Sequence, residues 1–284
     1  MKLAKRILSV LMVISAVAMC FAGCSSNQDE KYTDKTAVLG YTKEVAPFLT
    51  KAEDGTISGF MPELWDSIFD SVKGDLKEYT FEQVDEGYTL EENGGFINSS
   101  GKEYSACLLL GAVSKNYGTF NEDYSYTEPI ITNRIITVTK DGKVQDYSDF
   151  SGKNVAVVSD TAKTAFQKHK TIYDACAEVT DVDDINVALS DFDNGKFDAV
   201  VTDEFTYCPL GRDNDVLLDG EFDKIEYVIA CAKNSGWKDS INEAIREMKS
   251  ETYGNGDDFT PLVTKHFGYN ASSFDYQTDV DKNA

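Results

Sequence analysis

One stretch constrains this 284-residue chain more than any other: Gly195-Lys196-Phe197-Asp198-Ala199-Val200-Val201-Thr202-Asp203. Before it, Ile185, Ala188, Leu189 and Phe192 recur at helical spacing, with Asp183 and Asp184 placed to cap the start. Asn194-Gly195 stops that helix, because glycine reaches the left-handed conformation that a helix C-terminus commonly needs. Ala199-Val200-Val201 then has the composition of a strand buried on both faces. Asp203 stands where the strand emerges. In open α/β sheets the carboxyl ends of parallel strands face the ligand crevice, so a carboxylate there is placed to meet a cation. An ordinary loop acid is the alternative at this stage.

A second copy of the pattern runs from Gly101 to Gly111: glycine-lysine, an aromatic, an alanine, then Cys107-Leu108-Leu109-Leu110 as a buried strand. Two such βα units suggest two similar α/β lobes. The length accommodates two domains of ordinary size.

The N-terminus belongs to neither. Lys2, Lys5 and Arg6 precede an apolar run from Ile7 to Ala22, the pattern of a signal-peptide core over residues 1–23. It ends Phe21-Ala22-Gly23-Cys24, which resembles a lipoprotein cleavage box with Cys24 as the acylated residue; Cys20 is the rival, preceded by Met19. Residues 24–35 are polar and aperiodic, a flexible tether, and residues 271–284 read as a similar tail. Removing residues 1–23 takes away Lys2, Lys5, Arg6 and no acids. That leaves 24 Lys and Arg against 49 Asp and Glu, a net charge of −25. Such a balance argues against nucleic acid and against adsorption to anionic headgroups. Cys107, Cys176, Cys208 and Cys231 match no zinc spacing; buried free thiols fit the apolar runs around Cys107 and Cys231, while an export compartment permits disulfides that the sequence does not pair. Neither His169 nor His266 stands in a ligand or catalytic context, and no metal or cofactor is expected.

In chain order, Ala37 to Tyr41 opens as a strand and Ala46-Pro47-Phe48 turns. A helix follows Gly59, with Pro62 in its first turn and Leu64, Trp65, Ile68, Phe69 and Val72 as its buried stripe. Glu78 to Val84 is a strand, and Lys238 to Lys249 a helix with Ile241, Ile245 and Met248 on one face.

These residues resemble the solute-binding proteins of amino-acid ABC importers. The likeness runs through Gly40 to Phe48, Gly59-Phe60-Met61-Pro62-Glu63-Leu64, Tyr126-Thr127-Glu128-Pro129, Asp149 to Val157, Asp160-Thr161, Asp198 to Asp203 and Lys265-His266-Phe267-Gly268. It covers about residues 37 to 270. It implies an α/β chain with the two-lobed periplasmic-binding-protein type 2 fold and two hinge strands, Ile131 to Lys140 and Ile225 to Lys233. Lobe 1 would comprise residues 36–131 and 227–270, and lobe 2 residues 132–226.

The resemblance also implies a site. Asp203 stands where the family binds the ligand's ammonium group, and Thr42 lies in the first ligand loop. Thr161, at a helix start, offers backbone N–H groups to a carboxylate, or serves as a plain N-cap. Phe60 matches an aromatic that stacks on the ligand, or else belongs to the core; Val45 replaces a second aromatic. Relatives grip the ligand carboxylate with a threonine-x-x-arginine. Counting from Ser105 puts Ser114 and Tyr117 at those places, whereas counting back from Tyr126 puts Phe120 at the arginine's. Neither count finds an arginine, and Lys115 is the nearby cation, a point charge rather than a planar fork.

The function this implies is a lipid-anchored, monomeric, extracytoplasmic binder of a small amino-containing solute, an amino acid or related amine. Its partners would be the solute, the membrane subunits of an ABC permease, and the membrane through its lipid. A sensor component of a membrane receptor is one alternative. A dehydratase-type enzyme is another, disfavoured by the missing arginine and the lack of a histidine near these motifs.

Overall fold

The computed structural model describes residues 36–84, 89–90, 96–97, 100–101, 103–104, 107–109, 113–114, 124–140, 142–233, 236–250 and 256–268. Met1–Lys31 and Tyr32–Ala284 separate into two units, and the first lies outside the described residues.

The chain first supplies β1 (Thr36–Tyr41), α1 (Phe60–Val72), β2 (Glu78–Gln83), β3 (Cys107–Leu109) and β4 (Tyr124–Tyr126). A long strand, β5 (Ile131–Thr139), leads to β6 (Asn154–Val158), α2 (Asp160–Lys168), α3 (Lys170–Ala175) and β7 (Glu178–Val182). Next come α4 (Ile185–Asp193), β8 (Ala199–Asp203) and the one-turn α5 (Glu204–Tyr207). Strands β9 (Val216–Leu217), β10 (Asp223–Tyr227) and β11 (Ala230–Ala232) precede α6 (Trp237–Lys249) and α7 (Phe259–Phe267).

Two large sheets result, built to one plan. The first has the order β2-β1-β3-β11-β4 and the second β7-β6-β8-β5-β9, with β10 also on β5. In each, three parallel strands are followed by one antiparallel strand. That antiparallel strand is β5, arriving from the first half of the chain, in one sheet, and β11, returning from the second, in the other. The two glycine-lysine motifs therefore end in β3 and β8, which hold the same slot of their respective sheets.

Local chemistry accounts for these elements. Asp184 caps α4, its Oδ1 accepting from Asn186 N at 2.7 Å and Val187 N at 3.3 Å. At the other end Gly195, with φ 79°, donates to Phe192 O, and Lys196 N donates to Asp191 O. This is the paired-bond stop that a left-handed glycine permits. Alternate residues of β6 feed opposite cores: Val155 and Val157 pack with Phe150 and Phe166, and Ala156 and Val158 with Leu189 and Phe192. A strand covered on both faces has no place for a polar residue, hence the unbroken Val-Ala-Val-Val.

The stripe of α1 lies in the first core against Trp237, Ile241 and Ile245 of α6. Each large side chain so buried contributes about 1.5–3 kcal/mol. Among the described residues no helix is long and apolar enough to cross a membrane.

The return connection differs from the single strand expected over Ile225 to Lys233. It is two strands, β10 and β11, broken at Val228-Ile229. The reason is where those amides point: Val228 N donates to Val113 O at 2.9 Å and Ile229 N to Thr127 Oγ1 at 2.9 Å. Beside them Thr127 N donates to Ile229 O and Ile130 N to Tyr227 O. The two crossings thus run side by side between the sheets.

Candidate functional site

Four of the expected site residues lie at or after the carboxyl ends of inner parallel strands. Thr42 follows β1, Ser114 lies beyond β3, Thr161 follows β6, and Asp203 ends β8. Two of these have partners on the crossings. Ser114 forms a bridge with Tyr227 in the return crossing. On the outgoing one, Ile135 is opposite Asp203 and Asn133 reaches it through its side chain.

Asp203 caps α5 and is held from three directions. Its Oδ1 accepts from Thr206 N at 3.0 Å and from Asn133 Nδ2 at 2.9 Å, and its Oδ2 from Thr206 Oγ1 at 2.7 Å. An ionised carboxylate has about four acceptor positions. Three are engaged here, and the residue is only half-buried. The group is thus pre-oriented with acceptor capacity remaining. Asn133, 3% exposed, also accepts from Phe205 N at 3.1 Å, so one buried amide ties the strand to the turn that follows Asp203. Burial pushes the Tyr227 hydroxyl up to about 12; the Asn133 hydrogen bond opposes this and the charge of Asp203 adds to it.

The neighbouring acid serves another purpose. Glu204, 1% exposed, accepts from Arg134 Nε at 2.9 Å and Arg134 Nη2 at 2.5 Å, a two-pronged pair whose guanidinium is partly exposed. The guanidinium nearest in sequence to the hinge is therefore occupied by a protein carboxylate.

At the start of α2 the cap is Ser159, not Thr161. Ser159 has φ 87°, and its hydroxyl accepts from Ala162 N at 3.2 Å. Thr161 is the second helical residue and half-buried. Asp160 is exposed in the same turn, so a carboxylate approaching this helix end meets a like charge that offsets the helix dipole.

Phe60 belongs to the core. It is 0% exposed and edge-on to Phe259 at 6.0 Å, Phe267 at 5.3 Å and Phe48 at 6.4 Å, leaving no ring face open. Thr42 is half-buried at a bend and Val45 is exposed. Tyr117, Phe120, Lys115 and Cys24 lie outside the described residues. Cys176, Cys208 and Cys231 are free thiols. Two surface grooves, of about 470 and 570 Å³, lie beside α4 at Arg212 and between Glu128 and α6. Neither touches Thr42, Ser114, Thr161 or Asp203.

Sequence reasoning missed Asn133, Tyr227 and Ser159. For Ser159 a signal was present, a serine directly before the helical Asp160-Thr161, the kind of residue favoured at an N-cap. The partners of Asn133 are about 70 residues away, beyond any local pattern.

No family model matches the chain, and no curated protein does. Solved structures do. A polar amino acid ABC uptake transporter substrate-binding protein from Streptococcus thermophilus matches with TM-score 0.60 at 19% identity, over 83% of this chain and 87% of that one. The L-cystine solute receptor of Neisseria gonorrhoeae, in an unliganded open conformation, gives 0.59 at 17%, over 84% and 95%. An ancestral cationic amino acid solute-binding protein gives 0.56 at 18%, over 82% and 96%. With two sheets of the same strand order exchanging their antiparallel strands, the chain has the two-lobed α/β fold of these substrate-binding proteins.

Proposed function

We propose that this protein is a lipid-anchored, extracytoplasmic solute-binding protein that captures a small amine-bearing solute between its lobes and delivers it to an ABC permease. Lobe 1 comprises residues 36–131 and 227–270, and lobe 2 residues 132–226. The observation carrying the reading is Asp203: a half-buried carboxylate at the end of a central parallel strand, fixed by Asn133 and Thr206 yet with acceptor capacity to spare. An ammonium group there exchanges water for a charge-assisted hydrogen bond in a partly desolvated site. In this reading Ser114 is the contribution of lobe 1, supported by its bridge to Tyr227 on the return crossing. Thr42 and Thr161 complete its rim, and Tyr117 lies on the lobe 1 segment that follows Ser114. The solved proteins of the same fold are described as amino-acid binders, which supports the solute class.

Cys24 carries the anchor in this reading. Several acyl chains hold a protein at the membrane where one binds only marginally. Protein extracted from membranes and then denatured is expected to release an amine-bearing small molecule, identified by mass spectrometry. A released solute without an amine sinks the ligand class. Cys24→Ala moves the protein to the soluble fraction; unchanged membrane retention removes Cys24 as the anchor.

A further inference from the structure

Phe205 stands apart from the rest of its own lobe. It follows β8 by two residues and belongs by chain to the second sheet, yet its ring packs on the first core. The ring centroid lies 4.5 Å from that of Phe267 in α7 and 6.2 Å from that of Phe48. Tyr227, on the return crossing, lies 6.0 Å away with its plane inclined by 18°. Phe48 and Phe267 are 3% and 2% exposed, so Phe205 covers the edge of an otherwise finished core. Its backbone is fixed at the same time, since Phe205 N donates to the buried Asn133 Oδ1 and Asp203 caps its helix. An apolar ring held this rigidly by one lobe and seated on the other loses its contact only if the lobes separate.

We propose that Phe205 is an aromatic latch that biases the two lobes toward apposition through protein contacts alone. Separating the lobes returns the faces of Phe205, Phe48 and Phe267 to water, which the hydrophobic effect and the ring contacts oppose. The Phe205 pairs with Phe48 and Phe267, at ordinary strength, amount to roughly a tenfold bias in a two-state opening equilibrium. This goes beyond the assignment of Asp203 and is tested without any solute, so either can fail alone.

The test is small-angle X-ray scattering on the full chain carrying Cys24→Ala, comparing Phe205, Phe205→Ala and Phe205→Tyr. The expected result is a broader inter-atomic distance distribution with a longer maximum for Phe205→Ala, corresponding to a shift of roughly tenfold toward open forms. Phe205→Tyr, which keeps the ring, retains the original profile. Superposable curves for Phe205 and Phe205→Ala overturn the proposal. Circular dichroism checks that the variant folds. If Phe205→Ala does not fold, Phe205→Leu takes its place: an intermediate broadening supports the latch, and an unchanged curve overturns it.

Discussion

Asp203→Asn is expected to cost about 2–5 kcal/mol of affinity for an amine-bearing solute, because it removes one partner of a desolvated charge pair. The fold should hardly notice. Asparagine is as good an N-cap as aspartate, and its carbonyl oxygen can still accept from Thr206 N. The variant therefore separates binding from folding, which an alanine would not. Isothermal calorimetry reads the first and urea unfolding the second. An affinity loss below about threefold, less than 1 kcal/mol, would leave Asp203 with only its capping role.

Gly59→Ala is expected to destabilise the protein by about 3 kcal/mol or more. Gly59 has φ 127° and ψ −175°, a region essentially closed to residues with a Cβ. An added Cβ would also sit 2.6 Å from Phe48 O and 2.9 Å from Pro47 O. Those atoms are backbone and have no rotamer to retreat into. They cannot shift freely either, since the same two carbonyls accept from Phe60 N and Met61 N at 2.9 Å and so tie the turn to the start of α1. At roughly 2–4 °C per kcal/mol for a chain of this size, the melting temperature falls by about 6–12 °C. Gly55→Ala is the control. Gly55 has φ 86° but nothing within 4 Å of an added Cβ, so strain of about 1–2 kcal/mol acts alone. Equal losses at the two positions would refute the close-approach argument.

What the sequence disclosed was local. The stripe of α1, the Asp184 cap and the glycine stop at Gly195 each follow from a few neighbouring residues, and each is present. The likeness of Gly101–Gly111 to Gly195–Asp203 also proved architectural, since β3 and β8 hold equivalent slots. What stayed hidden depends on chain crossings. Asn133 and Tyr227 look like ordinary hinge-strand residues, and only the pairing of β5 with β8 and β10 gives them their partners. Phe205 reads as one aromatic in a polar turn, and its contact with Phe267 spans 62 positions. Phe60 shows the opposite limit: its motif suggests a ligand wall, but the ring closes a core completed by α7, two hundred residues on. Thr161 yields the cap to Ser159 because the turn places the serine hydroxyl, not the threonine's, over the first free amides.

Recognition of an amine at Asp203 is the central claim, and we propose that an α-carboxylate adds little to it. In the proposed site Asp203 meets the amine; Arg134 is paired with Glu204, and Asp160 adds a like charge in the first turn of α2. Melting temperatures measured with each amino acid beside its decarboxylated amine test this directly. A ligand at a hundredfold excess over its dissociation constant adds about 2.7 kcal/mol, or roughly 5–10 °C here. The prediction is a matched pair in which both members raise the melting temperature, the amine retaining most of the shift. An amino acid that stabilises the protein while its amine leaves the melting temperature unchanged would contradict it, and would place a carboxylate clamp in the first lobe.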